Sequence, residues 1–301
     1  MASASLRSAA LSLESGRAQA AAVDVSERFH AGTFEAGGIS FIVETNRGDW
    51  AGRFREVFGD LRVADGQPSP VVFEVRHQGG PATTHPWAVW RDGEPLEMTV
   101  ADHYILAYLL WEISRLMFER TGDRVHIHGA ALVRNERAVV LAGRSHAGKS
   151  TLAAWLTFRG WGFLTDEAAL VDPDALVVAP FWRPIGVRRP GPLDRILDDA
   201  VPREDEVLVP ASTIGRLAPP TPLTAIAFPV LSPNEPAALV PLSPAAALME
   251  LTRHFPGLIA GGRAGFRRLA RLVTEVPGYM LRFHDLDDAE RVLRELMSSP
   301  S

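Results

Sequence analysis

Cysteine is absent from the 301 residues of this chain. Disulfides, thiol catalysis and cysteine-ligated zinc or iron–sulfur centres are therefore excluded, and a reducing, cytoplasmic setting is expected. A long hydrophobic run is lacking too. The longest apolar stretch, Tyr104 to Trp111, gives way to Glu112, Ser114 and Arg115, well short of the roughly twenty apolar residues of a membrane span. It reads as a core helix. Met1 to Val23 is rich in Ala and Ser but interrupted by Arg7, Glu14 and Arg17, so it lacks the apolar centre of a secretory signal and reads as a short amphipathic helix or a tail. Nor is there a basic surplus. With 36 acidic and 31 basic residues, for a net charge of −5, the chain has little with which to displace counterions from a polyanion, and nucleic acid is not expected as its main partner. No internal repeat is visible.

What the chain does have is a glycine loop. Gly143-Arg144-Ser145-His146-Ala147-Gly148-Lys149-Ser150-Thr151 fits the phosphate-binding pattern G-x-x-x-x-G-K-[ST], and its flanks suit that reading. The β-branched run Ala138 to Ala142 precedes it as a strand, and Leu152 to Leu156 follows with helical character. In such a setting, glycines let backbone N–H groups turn inward around a phosphate that also faces the positive end of the helix. Lys149 adds a point charge for the β- and γ-phosphates. The Ser150 hydroxyl suits the octahedral shell of a Mg²⁺ ion, and Thr151 is a secondary phosphate contact. His146 reads as a solvated variable position. ATP is the expected donor by default, because no Asn-Lys-x-Asp motif that would read guanine is present. The loop alone does not name a reaction.

Its neighbours narrow the choice. Upstream, His126 to Val133 reads as a strand that turns at Asn135-Glu136 and pairs with Ala138 to Ala142 as a hairpin. Downstream, Trp161 to Glu167 reads as the next strand, with the acidic pair Asp166-Glu167 at its carboxyl end, where open α/β sheets collect ligands. Transfer of a γ-phosphoryl group to a hydroxyl needs a base aligned with the attacking oxygen and a metal that offsets the developing charge, and adjacent acids can divide those tasks. Each feature also has a structural reading. Strand histidines such as His126 and His128 often serve packing, and acidic pairs can cap turns or helices.

Fourteen residues separate His128 from Gly143. This spacing, the loop itself and Phe163-Leu164-Thr165-Asp166-Glu167 together resemble the core of the bacterial HPr kinase/phosphorylases, and more closely their divergent HPr-kinase-related members. The resemblance covers about residues 123–190. It implies an α/β fold in which a nucleotide-binding core like the C-terminal domain of HPr kinase occupies 123–301; the smaller α/β lobe at 24–122 is read from its own strand and helix patterns and does not match the N-terminal domain of HPr kinases. In that family a histidine before the loop, the loop lysine and hydroxyl residue, and an Asp-Asp pair after the loop helix surround the nucleotide. The resemblance thus carries over to His128, Lys149, Ser150, Asp166 and Glu167. It implies that Asp166 is the base, that Glu167 is a metal partner directly or through water, and that His128 tunes Asp166. Glu167 replaces the second aspartate, which lengthens that side chain by one methylene. HPr kinases place a substrate-recognition loop near Trp182 to Pro190 of this chain, which makes Arg183 the candidate substrate contact.

The implied activity is ATP- and Mg²⁺-dependent transfer to a hydroxyl of a peptide, a protein or a small molecule. Two alternatives stand beside it: a nucleotide-binding switch or assembly factor without phosphotransfer, and a bifunctional kinase/phosphorylase. Outside the core, strands are expected at 39–43, 71–75 and 87–90, a helix around Trp50 to Phe58 and a long helix from about Thr99 to Arg120. Residues 190–222, rich in proline and acids, read as a mobile excursion with one short helix. Strands at 223–228, 238–240 and 278–283 and helices at 244–254, 263–274 and 286–297 complete the chain. The oligomeric state is left open.

Overall fold

A computed structural model describes residues 27–78, 85–143, 148–188, 193, 206–254 and 262–298. The expected N-terminal tail (1–23), Arg144 to Ala147 of the glycine loop and most of 190–205 lie outside them. The fold is mixed α/β, with seven α-helices and fifteen strands among the described residues. The chain divides into two compact units. One holds residues up to 34 together with 40–55 and 63–112, and the other holds 35–39, 56–62 and 113–301.

The first unit is built on a five-stranded sheet in sequence order: β1 (Phe29–Ala36), β2 (Ile39–Thr45), β3 (Val71–His77), β4 (Trp87–Arg91) and β5 (Glu94–Val100). Between β2 and β3, which run parallel, the crossover carries α1 (Gly48–Val57). Alternate strand residues point to one face, where Phe34 stacks on Phe41 at 5.5 Å and Phe41 meets Phe73 edge-on at 5.9 Å. Here the structure corrects the sequence reading twice. β1 was not anticipated, and the long helix does not begin near Thr99. That stretch is β5, joined to β4 by Asp92-Gly93 at φ 51° and 82°, the paired positive φ of a tight hairpin turn. The helix α2 spans Ile105–Arg120.

The second unit contains the eight-stranded sheet. Its centre is the hairpin of β6 (Val125–Arg134) and β7 (Arg137–Ala142), turned at Asn135-Glu136 as expected, with φ 51° and 59°. Past β7 come α3 (Lys149–Phe158), β8 (Gly162–Thr165), β9 (Ala168–Asp172) and β10 (Val177–Ala179). β11 (Ile185–Arg188) pairs separately with β12 (Glu206–Val209), and α4 (Ala211–Ile214) leads into β13 (Thr221–Leu231). Within the expected excursion 190–222, the Val-Leu-Val segment of β12 finds the Ile-Gly-Val segment of β11 as an antiparallel partner, so 206–209 is a strand.

The chain closes with β14 (Ala238–Leu242), α5 (Pro244–His254), α6 (Gly262–Glu275), β15 (Gly278–Phe283) and α7 (Leu286–Ser298). β7, β13 and β15 run parallel, and β14 forms the outer antiparallel edge, with Pro241 near its end. β10 also pairs with the start of β13, so β13, β10, β9, β6 and β7 close on themselves.

Strand alternation sorts the core onto two faces. Ala130, Leu132, Val139 and Leu141 pack under α3 and α7, burying Leu152, Leu156, Val292 and Leu293. Ala131, Val133, Val140 and Ile226 pack under α5 and α6, burying Leu251, Leu269 and Leu272. The arrangement is helix, sheet, helix. Its parity matters for function: His128 shares the face of Ala130 and Leu132, which is the face that α3 covers.

Candidate functional site

The acidic pair directly follows the carboxyl end of β8, and the chain runs at once into β9. β8 and β9 both pair antiparallel with β6, β8 along 131–133 and β9 along 125–128. They act as one strand interrupted at Asp166 and Glu167, which keep register opposite Ala130 and Gly129; the ladder's irregularity falls earlier, at Leu164. The Thr165 hydroxyl accepts from the Glu167 and Ala168 amides at 3.3 Å each, and Gly129 N–H donates to the Glu167 carbonyl at 2.9 Å. The acidic pair thus lies just past the carboxyl end of β8, as expected, in the short break between β8 and β9. Gly129 has to be glycine for a steric reason, since a Cβ there would lie 2.4 Å from the Leu141 carbonyl oxygen.

Around that break the predicted residues converge. His128 Nδ1 lies 3.1 Å from Glu167 Oε1. Arg183 reaches both acids, with Nε 3.7 Å from Asp166 Oδ1 and Nη1 3.3 Å from Glu167 Oε2. Its backbone is fixed to the same strand, because Phe181 N–H donates to the Leu164 carbonyl at 2.8 Å. From the start of α3, the Ser150 side chain hydrogen-bonds Asp166. Lys149, itself buried, donates from Nζ to the Gly143 carbonyl at 2.9 Å. Gly148 caps α3 in the left-handed region at φ 80°, and no side chain caps that end of the helix, which leaves it suited to an anion. Two assignments shift as a result: the histidine meets Glu167 rather than Asp166, and Arg183 holds the acids. Arg144, Ser145, His146 and Ala147 lie outside the described residues.

The two carboxylates are pushed apart electrostatically. Burial drives Asp166 up to about 6, with Glu167 adding to the rise and Arg183 and Ser150 opposing it. Burial acts in the same direction on Glu167, but the His128 hydrogen bond, Arg183 and Lys149 outweigh it and hold that group at about 2. Lys149 is lowered by its own burial against the pull of Glu167 and Asp166. One fixed anion beside one carboxylate that titrates near neutrality is the arrangement that separates an electrostatic role from a proton-transfer role. Asp166 Oδ1 is buried without a hydrogen-bond partner, an atom left to accept a proton or a donor.

No family model matches the chain, and no curated protein shows significant similarity to it.

Two features were missed in the sequence. His284 Nε2 lies 3.0 Å from Asp285 Oδ2 and 3.5 Å from Asp288 Oδ2, and these residues line an open cavity of about 770 Å³ whose wall includes Gly148 and Thr151. Asp285 also caps α7, accepting from Asp288 N–H at 2.8 Å. His126 serves structure, its Nε2 within 2.9 Å of the Thr121 carbonyl. No described helix is long and apolar enough to cross a membrane.

Proposed function

We propose that this chain is an ATP- and Mg²⁺-dependent kinase of the HPr-kinase-related type that transfers the γ-phosphoryl group to a hydroxyl of a peptide, a protein or a small molecule. What carries this reading is the meeting of Lys149 and Ser150, at the uncapped start of α3, with a buried carboxylate whose Oδ1 has no hydrogen-bond partner. The donor set suits magnesium: a hydroxyl on Ser150 and a carboxylate on Glu167 are hard oxygen ligands, used directly or through water. When bound, the ion supplies charge neutralisation on the phosphate oxygens.

The chain's own residues account for the rest. Lys149 and the first-turn amides of α3 hold the β- and γ-phosphates in line. Asp166 Oδ1 takes the proton of the acceptor hydroxyl as its oxygen bonds to the γ-phosphorus and the bond to the β-phosphate bridging oxygen breaks. Glu167, kept ionised by His128 and Arg183, stays an anion throughout. Arg183 is the residue best placed to exchange an acid for an incoming acceptor group.

γ-Labelled ATP with Mg²⁺, offered with serine peptides and small alcohols, tests the proposal: label is expected to move to one acceptor class. In Lys149→Ala, nucleotide affinity should fall at least about tenfold by calorimetry, the scale of one charge-assisted contact. Nucleotide that binds while label never moves, together with an Asp166→Asn variant altered only in Mg²⁺ affinity, would favour the switch over the kinase. Formation of pyrophosphate from a phosphorylated acceptor and inorganic phosphate, or of ATP from that acceptor and ADP, would point to the bifunctional alternative.

A further inference from the structure

Helix α2 is apolar on every side. Ile105, Leu109, Ile113, Leu116 and Met117 are buried, which accounts for the face a helix turns to its core, and the narrow strip left to solvent is where charged residues are expected. It is aromatic instead. Tyr104 (39 % exposed), Trp111 (47 %) and Phe118 (41 %) recur every seven residues. The Tyr108 amide donates to the Tyr104 carbonyl at 2.8 Å, so Tyr104 already belongs to the helical turn that starts the strip. A seven-residue apolar repeat is the seam of paired helices, and this one runs for about 21 Å. Arg115, ion-paired with Glu119, is the charge between Trp111 and Phe118. Exposed apolar surface gathered in one strip, rather than scattered singly, marks an interaction face.

We propose that this strip pairs with the same strip of a second copy of the chain, antiparallel about a twofold axis at Trp111. The sequence is self-complementary in that register. Trp111 meets Trp111, and Tyr104 meets Phe118 at both ends, so every large ring finds another. Arg115 falls opposite Ala107 and Tyr108, where a small neighbour leaves its guanidinium room over the phenol ring. At the ends, Arg120 falls opposite Asp102 and Glu119 opposite His103. Asp102 already accepts from the Trp87 indole N–H at 2.6 Å through Oδ1, and a carboxylate has further acceptor positions. A parallel pair would instead set Asp102 on Asp102, Arg115 on Arg115 and Glu119 on Glu119, and like charges reject it. One helix face supplies less than the roughly 1,200–2,000 Å² of a standard interface, so the dimer is weak, with a dissociation constant in the micromolar range. The inference is independent of the kinase reading, because none of these residues belongs to the phosphate end.

Sedimentation velocity of the full chain from about 1 to about 200 µM should show monomer passing to dimer. Trp111→Glu should remain monomeric throughout that range with unchanged thermal unfolding, and Arg120→Glu should weaken the dimer, most strongly at low salt. Because the chain has no cysteine of its own, introduced thiols report the orientation. Tyr104→Cys and Phe118→Cys chains, mixed and treated with a short bismaleimide, should cross-link to each other well above the level of either chain alone. A wild-type chain that stays monomeric at every concentration would overturn the proposal, as would a dimer that survives Trp111→Glu. Cross-links between two Tyr104→Cys chains as abundant as those of the mixture would overturn the antiparallel register. A dimer that forms only after residues 1–23 are deleted would assign the strip to the chain's own tail, and so would overturn the second copy as its natural occupant.

Discussion

Asp166→Asn is expected to lower phosphoryl transfer by about 10²- to 10⁴-fold, the range of a lost general base, while ATP still binds. The same substitution should make the protein more stable. In the folded chain the Asp166 carboxyl titrates at about 6 against a reference of 3.8, so the folded state holds its proton more tightly than the unfolded state. Stability is therefore lost as pH rises from about 4 to about 6, and the full cost is present above that. At 1.36 kcal/mol per unit, the penalty at pH 7.5 is of the order of 3 kcal/mol. Asparagine keeps the shape and removes the charge. Urea unfolding in chelator should show a gain of about 1–3 kcal/mol for Asp166→Asn at pH 7.5 that shrinks toward zero near pH 4. Transfer retained in this variant would remove Asp166 from the role of base, and a loss of stability at neutral pH would contradict the electrostatic account of its burial.

Gly129→Ala is expected to be strongly damaging to the second unit. A methyl group there would lie 2.4 Å from the Leu141 carbonyl oxygen and 3.1 Å from its carbon. Both atoms belong to the β6–β7 ladder and cannot rotate away as a side-chain tip would. Overpacking of side chains alone costs about 1–3 kcal/mol; here backbone must move, so the cost should be at the upper end of that range or above it. The displaced strand also carries the amide that holds the Glu167 carbonyl, so any folded fraction should lose nucleotide-dependent activity. Gly52→Ala is the matched control. It lies in α1 with nothing near its Cβ, and alanine there should stabilise by about 0.5–1 kcal/mol. Similar denaturation midpoints for the two variants would contradict the steric argument.

Local signals made much of the fold legible. Asn135-Glu136 punctuates two apolar runs, and the hairpin followed from it. The helix expected at 244–254 is α5, where the Ser243 hydroxyl accepts from Ala246 N–H at 3.2 Å. The failures were of pairing. Thr99 and Val100 read as the start of a helix until the Asp92-Gly93 turn pairs their segment with β4, and Glu206 to Val209 reads as part of an excursion until it meets β11. The site divides the same way. Residue identities at the site could be named from the motif and the resemblance, because loop, histidine and acids lie at recognisable spacings. Their pairing could not, since whether His128 meets Asp166 or Glu167 depends on a two-residue break in a ladder that no periodicity encodes. The acidic cavity was hidden for a further reason: its wall is assembled from the ends of α3, β13, β15 and α7, which are far apart in sequence.

β14 is the outer strand of the eight-stranded sheet, and Pro241 pairs in register with Tyr279 on its inner side. Proline has no N–H, so a foreign strand laid along that rim meets a missing donor close to the strand's end. On the opposite flank, β10 turns back onto β13 and uses up bonding positions that would otherwise be open. Runaway strand-by-strand growth, the usual hazard of a broad sheet, therefore finds a short and interrupted template in this unit.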